Sequence, residues 1–182
     1  MTKYQIRAIF LASAVLLTGA AGAQQSTVPR VSVKLPAYKG TIAIDTIMFV
    51  TDHEGSAAAV WSAASRVFYD AKIATDLRDS VGGVVGTTKY VKSSFMGSVP
   101  MSKVLNCGMS ITGPNADNYR INIALVAIVS QVTATKTKMG VGFVGSGIDM
   151  RGNSTDPVIC ASTGQFEGDF AAKVKKILTA AP

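Results

Sequence analysis

Residues 119–148 constrain the fold more than any other stretch. Tyr119, Ile121, Ile123, Leu125, Ala127 and Val129 occupy every second position, the period of one strand face. Arg120 and Asn122 open the opposite face, but Ala124, Val126 and Ile128 complete it. A strand over 119–130 must therefore be covered on both sides along its second half. After a turn at 131–133, a run over 134–148 alternates again, with Met139, Val141 and Phe143 on one side and Lys136 and Lys138 on the other. Two such runs joined by a short turn pair most simply as an antiparallel hairpin. The rest of the chain must supply neighbours and cover for it.

Two segments with a helical period can do so. Val60, Ala64, Val67, Phe68 and Ala71 recur at three and four, with Trp61 beside them, which predicts an amphipathic helix over 54–72. Thr51-Asp52-His53-Glu54 has the spacing of a capping box, with Thr51 as N-cap. Phe166, Phe170, Val174, Ile177 and Leu178 predict a closing helix over 164–178, led by a second box from Ser162 to Gln165. Its acids Glu167 and Asp169 come early and Lys173, Lys175 and Lys176 late, an order that complements the helix dipole. Shorter strands are expected over 31–35, 41–50 and 84–91, and 92–118 reads as irregular, punctuated by Gly97, Pro100, Gly108, Gly113 and Pro114. The expected fold is α+β, a two-layer sandwich in which an antiparallel sheet of four to five strands carries two helices on one face. Trp61, Phe68, Phe166 and Phe170 are expected to meet Ile123, Leu125 and Val141 in the core.

The first 23 residues read as a leader rather than as part of that domain. Lys3 and Arg7 form a positive start, residues 9–17 an apolar stretch, and Ala21-Gly22-Ala23 a small-x-small site, which places cleavage between Ala23 and Gln24. The apolar stretch is shorter than the roughly 20 residues that span a bilayer. Residues 24–182 then form one domain of 159 residues with a net charge of +5 and no transmembrane segment, in the periplasm or outside the cell. In an oxidising compartment the two cysteines, Cys107 and Cys160, are expected to close one disulfide. Joining positions so far apart is worth about 4 kcal/mol in the chain-entropy model.

Chemistry is harder to find. Gly140 to Gly145 matches G-x-G-x-x-G, but it lies inside a strand and no helical period follows, so it does not suit a dinucleotide. Asp52, His53 and Glu54 are adjacent, which directs their side chains apart rather than onto one ion, and no metal site is expected. His53 is the single histidine among the 182 residues, and no G-x-S-x-G elbow is present to pair with it. Asn153-Ser154-Thr155 has the form of a glycosylation sequon, relevant only to a eukaryotic secretory path. The basic residues are scattered except for Lys173, Lys175 and Lys176, which argues against nucleic acid. No cofactor is implied.

Three blocks carry a resemblance: residues 101–108 (MSKVLNCG), 117–123 (DNYRINI) and 158–167 (VICASTGQFE). They resemble a group of uncharacterised exported bacterial proteins with two cysteines in the C-terminal half, and the likeness also implies pairing of Cys107 with Cys160. The order of helix, long sheet and closing helix is similar in plan to the domains of BamC-like outer-membrane assembly lipoproteins. The expected function is that of a non-catalytic exported interaction module, with a patch at Tyr90, Phe95 and Met96 in the long loop meeting an envelope protein. The alternatives are a carrier holding a small apolar ligand between helices and sheet, and a hydrolase built on two converging carboxylates.

Overall fold

A computed structural model describes residues 29–152 and 154–180; the expected leader with its cleavage site, and Asn153 of the sequon, lie outside the described residues. The fold is α+β, and its centre is the expected hairpin. Strands Tyr119–Gln131 and Lys136–Asp149 pair in unbroken register from Tyr119 opposite Asp149 to Gln131 opposite Thr137. Val84–Ser93 lies antiparallel on the far side of Tyr119–Gln131, and Leu77–Asp79 forms that edge of the sheet. Two strands share the other side of Lys136–Asp149. Phe49–Glu54 pairs with 136–141, and Val158–Ser162 pairs with 144–147 and then carries the short edge strand Leu105–Asn106. Among the described residues the sheet therefore has seven antiparallel strands rather than four or five. The additional ones, Leu77–Asp79, Leu105–Asn106 and Val158–Ser162, are too short for a legible period.

Helices Ala57–Asp70 and Gln165–Ala180 cover one face. Phe68, Phe170, Ile123, Leu125 and Val141 are buried together there, with Trp61 and Phe166 packed against them, as the pattern predicted. The rings of Phe68 and Phe170 meet edge to face at 5.1 Å, and Phe143 lies 5.0 Å from Phe166. The Trp61 indole N–H donates to the Val84 carbonyl at 3.0 Å, so this half-buried ring keeps its polar atom paired.

The opposite face is also covered, which a two-layer plan lacks. Val33, Leu35 and Ile44, from the segment that precedes the first long strand, pack on Ala124, Val126, Ile128 and Val144. The continuous strand expected over 41–50 is broken there: among the described residues Ile42–Ala43 pairs only with Ser32–Val33, and a 3-10 turn at Ile44–Thr46 drops Ile44 onto the sheet. Gly140 and Gly142 make room for this layer. A Cβ added at Gly140 would stand 2.6 Å from Met48 Sδ, and one at Gly142 would collide with Ile44 Cγ2. The G-x-G-x-x-G run is thus a close-packing floor.

One helix start and one helix end differ from expectation. Thr51-Asp52-His53-Glu54 is strand, not a capping box, because Lys136–Val141 offers it a ladder. The first helix begins at Ala57 instead, capped by Ser56, whose Oγ accepts the Ala59 N–H at 3.2 Å. The closing helix runs to Ala180, so its last turn holds no basic residue, and Lys173, Lys175 and Lys176 do not cap it.

The irregular stretch 92–118 is more ordered than its composition suggests. Hairpins Phe95–Met96 with Val99–Pro100 and Met109–Ser110 with Gly113–Pro114 alternate with single helical turns at Met101–Val104 and Asn115–Asn118. Met101, Val104, Leu105 and Ala116 are buried. The Asp117 carboxylate accepts the Ser102 N–H at 2.8 Å and the Ser102 hydroxyl at 2.7 Å. Cys107 and Cys160 are joined, with Cα atoms 4.1 Å apart, fastening the excursion to the strand that leads into the closing helix. Among the described residues no helix is long and apolar enough to cross a membrane.

Candidate functional site

The sheet end at Tyr119 and Asp149 gathers the loops fastened by the disulfide. Large apolar side chains stand in solvent there: Ile111 fully, Met109 at 74%, Met150 at 63% and Phe95 at 53% exposure. Ile111 sits at the tip of the Met109–Pro114 hairpin, and Met150 follows the last paired residue of the long strand. Between them lies a cavity of about 360 Å³ bordered by Ser110, Ile111, Thr112, Asn118, Tyr119 and Arg151. The Arg151 guanidinium donates to Asn118 Oδ1 at 3.4 Å, and its backbone N–H to Asp149 Oδ1 at 2.9 Å. The Ser93 hydroxyl contacts Met150 Sδ at 3.6 Å, which ties the Val84–Ser93 strand to the same corner.

The expected patch divides at this end. Phe95 is exposed, Met96 is buried and Tyr90 is half-buried with the Lys92 ammonium 5.5 Å from its ring centre. Phe95 and Met96 are neighbours in extended chain, so their side chains leave in opposite directions. Met109, Ile111 and Met150 were not anticipated. The one available signal was apolar residues inside polar turns, where no buried face accounts for them.

His53 lies in the edge strand Phe49–Glu54, on the side facing the closing helix. Its Nε2 is 2.9 Å from Thr51 Oγ1, whose hydroxyl donates to the Met139 carbonyl at 3.4 Å. Burial lowers the imidazole pKa below its ordinary value; the Asp52 carboxylate opposes that and the Lys175 ammonium adds to it. A cavity of about 310 Å³ borders Asp52, His53, Glu54, Lys175, Leu178 and Thr179. Strand alternation sends Asp52 and Glu54 to the face opposite His53. Among the described residues no group of three His, Cys, Asp or Glu side chains is placed to hold a metal ion.

The carboxylates hold local structure at separate places. Asp76 accepts the Thr88 N–H at 2.8 Å and the Thr88 hydroxyl at 2.7 Å, pinning the bulge where Val84–Ser93 slips against Ile123 and Leu125. Partial burial raises its pKa, but the bonds from Thr88 and Thr87 outweigh that and hold it below the ordinary value. Asp79 accepts the N–H groups of Val81 and Gly82 in a turn, and Asp70 pairs with Arg66 at 2.8 Å. Glu167 is buried; desolvation pushes its pKa up against a bond from Ser162, and its Oε2 has no partner among the described residues.

The two helices leave a seam on their outer side. One cleft of about 430 Å³ has Val67, Ala71 and Ile177 as its floor and Asp70, Lys173 and Lys176 on its walls. A second, of about 390 Å³, continues past Ala59, Ala63 and Leu178 and shares Ile177. Aromatic rings fill the space between helices and sheet, so these clefts lie outside the layer where an apolar ligand was expected.

Comparison with protein-family models, with curated proteins and with solved structures found no match to this chain.

Proposed function

We propose that the protein is a non-catalytic exported module that binds an envelope protein through its disulfide-fastened end. The observation that carries this reading is the projection of Phe95, Met109, Ile111 and Met150 into solvent around one end of the sheet, while other exposed apolar side chains such as Tyr69, Val81 and Val132 stand elsewhere. Large exposed apolar side chains gathered at one place mark interaction sites more often than scattered ones do. Loops held by a rigid scaffold are the usual carriers of recognition. The Cys107–Cys160 bridge ties the base of the Met109–Pro114 hairpin to the sheet and accords with folding in an oxidising compartment. The engagement of Asp70, Asp76, Asp79 and Asp117 in separate turns and pairs supports binding over carboxylate chemistry.

The test is site-specific photo-crosslinking in the cells that naturally make the chain. A crosslinking residue in place of Ile111 should give one discrete adduct. The same residue in place of Val81, which is equally exposed at the other end of the sheet, should give none. Equal labelling from both positions, or none from either, would overturn the reading.

A further inference from the structure

The seam between the helices supports a second, independent reading. Its floor is apolar and small on the first helix, with Ala59, Ala63, Val67 and Ala71. These positions span about 18 Å at the rise of an α-helix. The walls are charged unequally. On the first helix Arg66 and Asp70 neutralise each other at 2.8 Å. On the closing helix Lys173 and Lys176 are exposed, and neither makes a salt bridge among the described residues. The helix continues to Ala180, so these ammonium groups lie before the final turn, where end-capping does not account for them.

We propose that this seam is the docking groove for an acidic amphipathic helix of a partner protein. Two helices in one layer leave between them a trough in which a third can lie at an interaxial distance of about 8–10 Å. Three turns of such a helix would match the trough in length. Its apolar stripe would cover Val67, Ala71 and Ile177, and carboxylates along one flank would meet Lys173 and Lys176. A second copy of this chain lacks that flank. Asp70 is the single acid of the first helix and is already paired, Asp169 of the closing helix takes the Gln165 amide, and Glu167 is buried. An acyl chain fits less well, because a small-ligand site encloses most of its ligand and this trough is open along one side.

The experiment uses the full chain and two synthetic 16-residue amphipathic peptides that share one leucine and alanine stripe. One carries glutamates on the flank, the other lysines, and binding is followed by fluorescence anisotropy. The glutamate peptide should bind at least tenfold more tightly. The double variant Lys173→Glu, Lys176→Glu should reverse that order, and Ile177→Asp should abolish binding of both with an unchanged far-ultraviolet spectrum. Equal binding of the two peptides, binding of neither, or indifference to the charge reversal would overturn the proposal. Saturable one-to-one binding of palmitate, lost in Ile177→Asp, while the glutamate peptide fails to bind, would overturn it in favour of an acyl chain.

Discussion

On the helix face the sheet presents Ile121, Ile123, Leu125, Met139, Val141 and Phe143 to a layer that fills the gap with the rings of Phe68, Phe166 and Phe170. On the opposite face, glycines 140 and 142 bring the short 31–43 hairpin and its 3-10 turn so close that Ile44 and Met48 occupy the space of the missing side chains. The first cover is thick, made of two elements with their own internal hydrogen bonds. The second is thin, anchored by one two-residue ladder, the Ile44 N–H to Val31 carbonyl bond at 2.8 Å and an Arg30–Asp45 pair at 3.7 Å. The difference teaches that a sheet buried on both sides need not be a three-layer sandwich. Removing side chains from the sheet lets a short hairpin and its turn serve as a layer.

The helix face should therefore fail globally when its packing is cut. Phe170 is 2% exposed and touches two other rings, so Phe170→Ala should cost about 3–5 kcal/mol in chemical denaturation, with one cooperative transition and an unchanged slope. A cost below about 1 kcal/mol would show that the helix layer is not the dominant cover. On the thin face, Gly142→Val should cost about 1–3 kcal/mol by overpacking. Its mark should be local, with faster hydrogen exchange at the Ile44 amide and little change at Leu125 or Val141. Uniformly faster exchange across the sheet would mean that the two covers unfold as one and would erase the contrast.

The thick cover was legible from sequence because period carries it. Alternation over 119–148 and the three-and-four stripes ending at Ala71 and Leu178 each state which side is buried, and Phe68, Phe170, Leu125 and Val141 meet as that predicts. The thin cover was not legible, because the broken run at Ile44–Thr46 has no period and its partner surface is defined by absent side chains. The spacing of Thr51 and Glu54 fits a capping box or a strand equally, and the choice was made by Lys136–Val141, far along the chain. At the candidate site Phe95 was readable as an aromatic in a loop, whereas Met96 beside it turns into the core. Met109, Ile111 and Met150 lie in turns, where exposure follows from how the loops close and not from neighbours in sequence.

A smaller effect separates chemistry from packing within the thick cover. Glu167 is 2% exposed, its Oε2 has no hydrogen-bond partner among the described residues, and burial raises its pKa against the bonds from Ser162 and the backbone. Its folded form holds the proton more tightly than the unfolded chain does. Stability is then intact below the ordinary glutamate range and falls as pH rises through the raised value. Glu167→Gln removes the buried charge but keeps a polar group of the same shape, so at pH 8 it should be more stable than the parent by about 1 kcal/mol, through the relieved cost of desolvating the charge. Near pH 3.5, where both side chains are neutral, the two melting curves should coincide. A variant less stable than the parent at pH 8 would show that the bond from Ser162 outweighs the cost of burying the charge.

The smallest expected effect lies where the first helix ends. Ala71 is the C-cap, the Lys72 N–H donates to the Tyr69 carbonyl at 2.9 Å and the Ile73 N–H to the Phe68 carbonyl at 3.0 Å, the bond pattern of a Schellman turn. That turn places Lys72 at φ 56°, a left-handed conformation in which a side chain costs energy and glycine does not. Ile73 is 5% exposed, so the turn also seats the chain back into the core beneath the helix. Lys72→Gly should relieve the strain and raise stability by about 0.5–1 kcal/mol, offset in part by the greater freedom of glycine in the unfolded chain. Thermal unfolding should move up by a few degrees, with the slope against denaturant unchanged. The gain should persist when Gly142→Val has loosened the thin cover, since the turn belongs to the helix layer and shares no contact with Ile44. Loss of the gain in that background would show the two faces to be energetically coupled through the sheet, and the contrast between them would then be one of geometry alone.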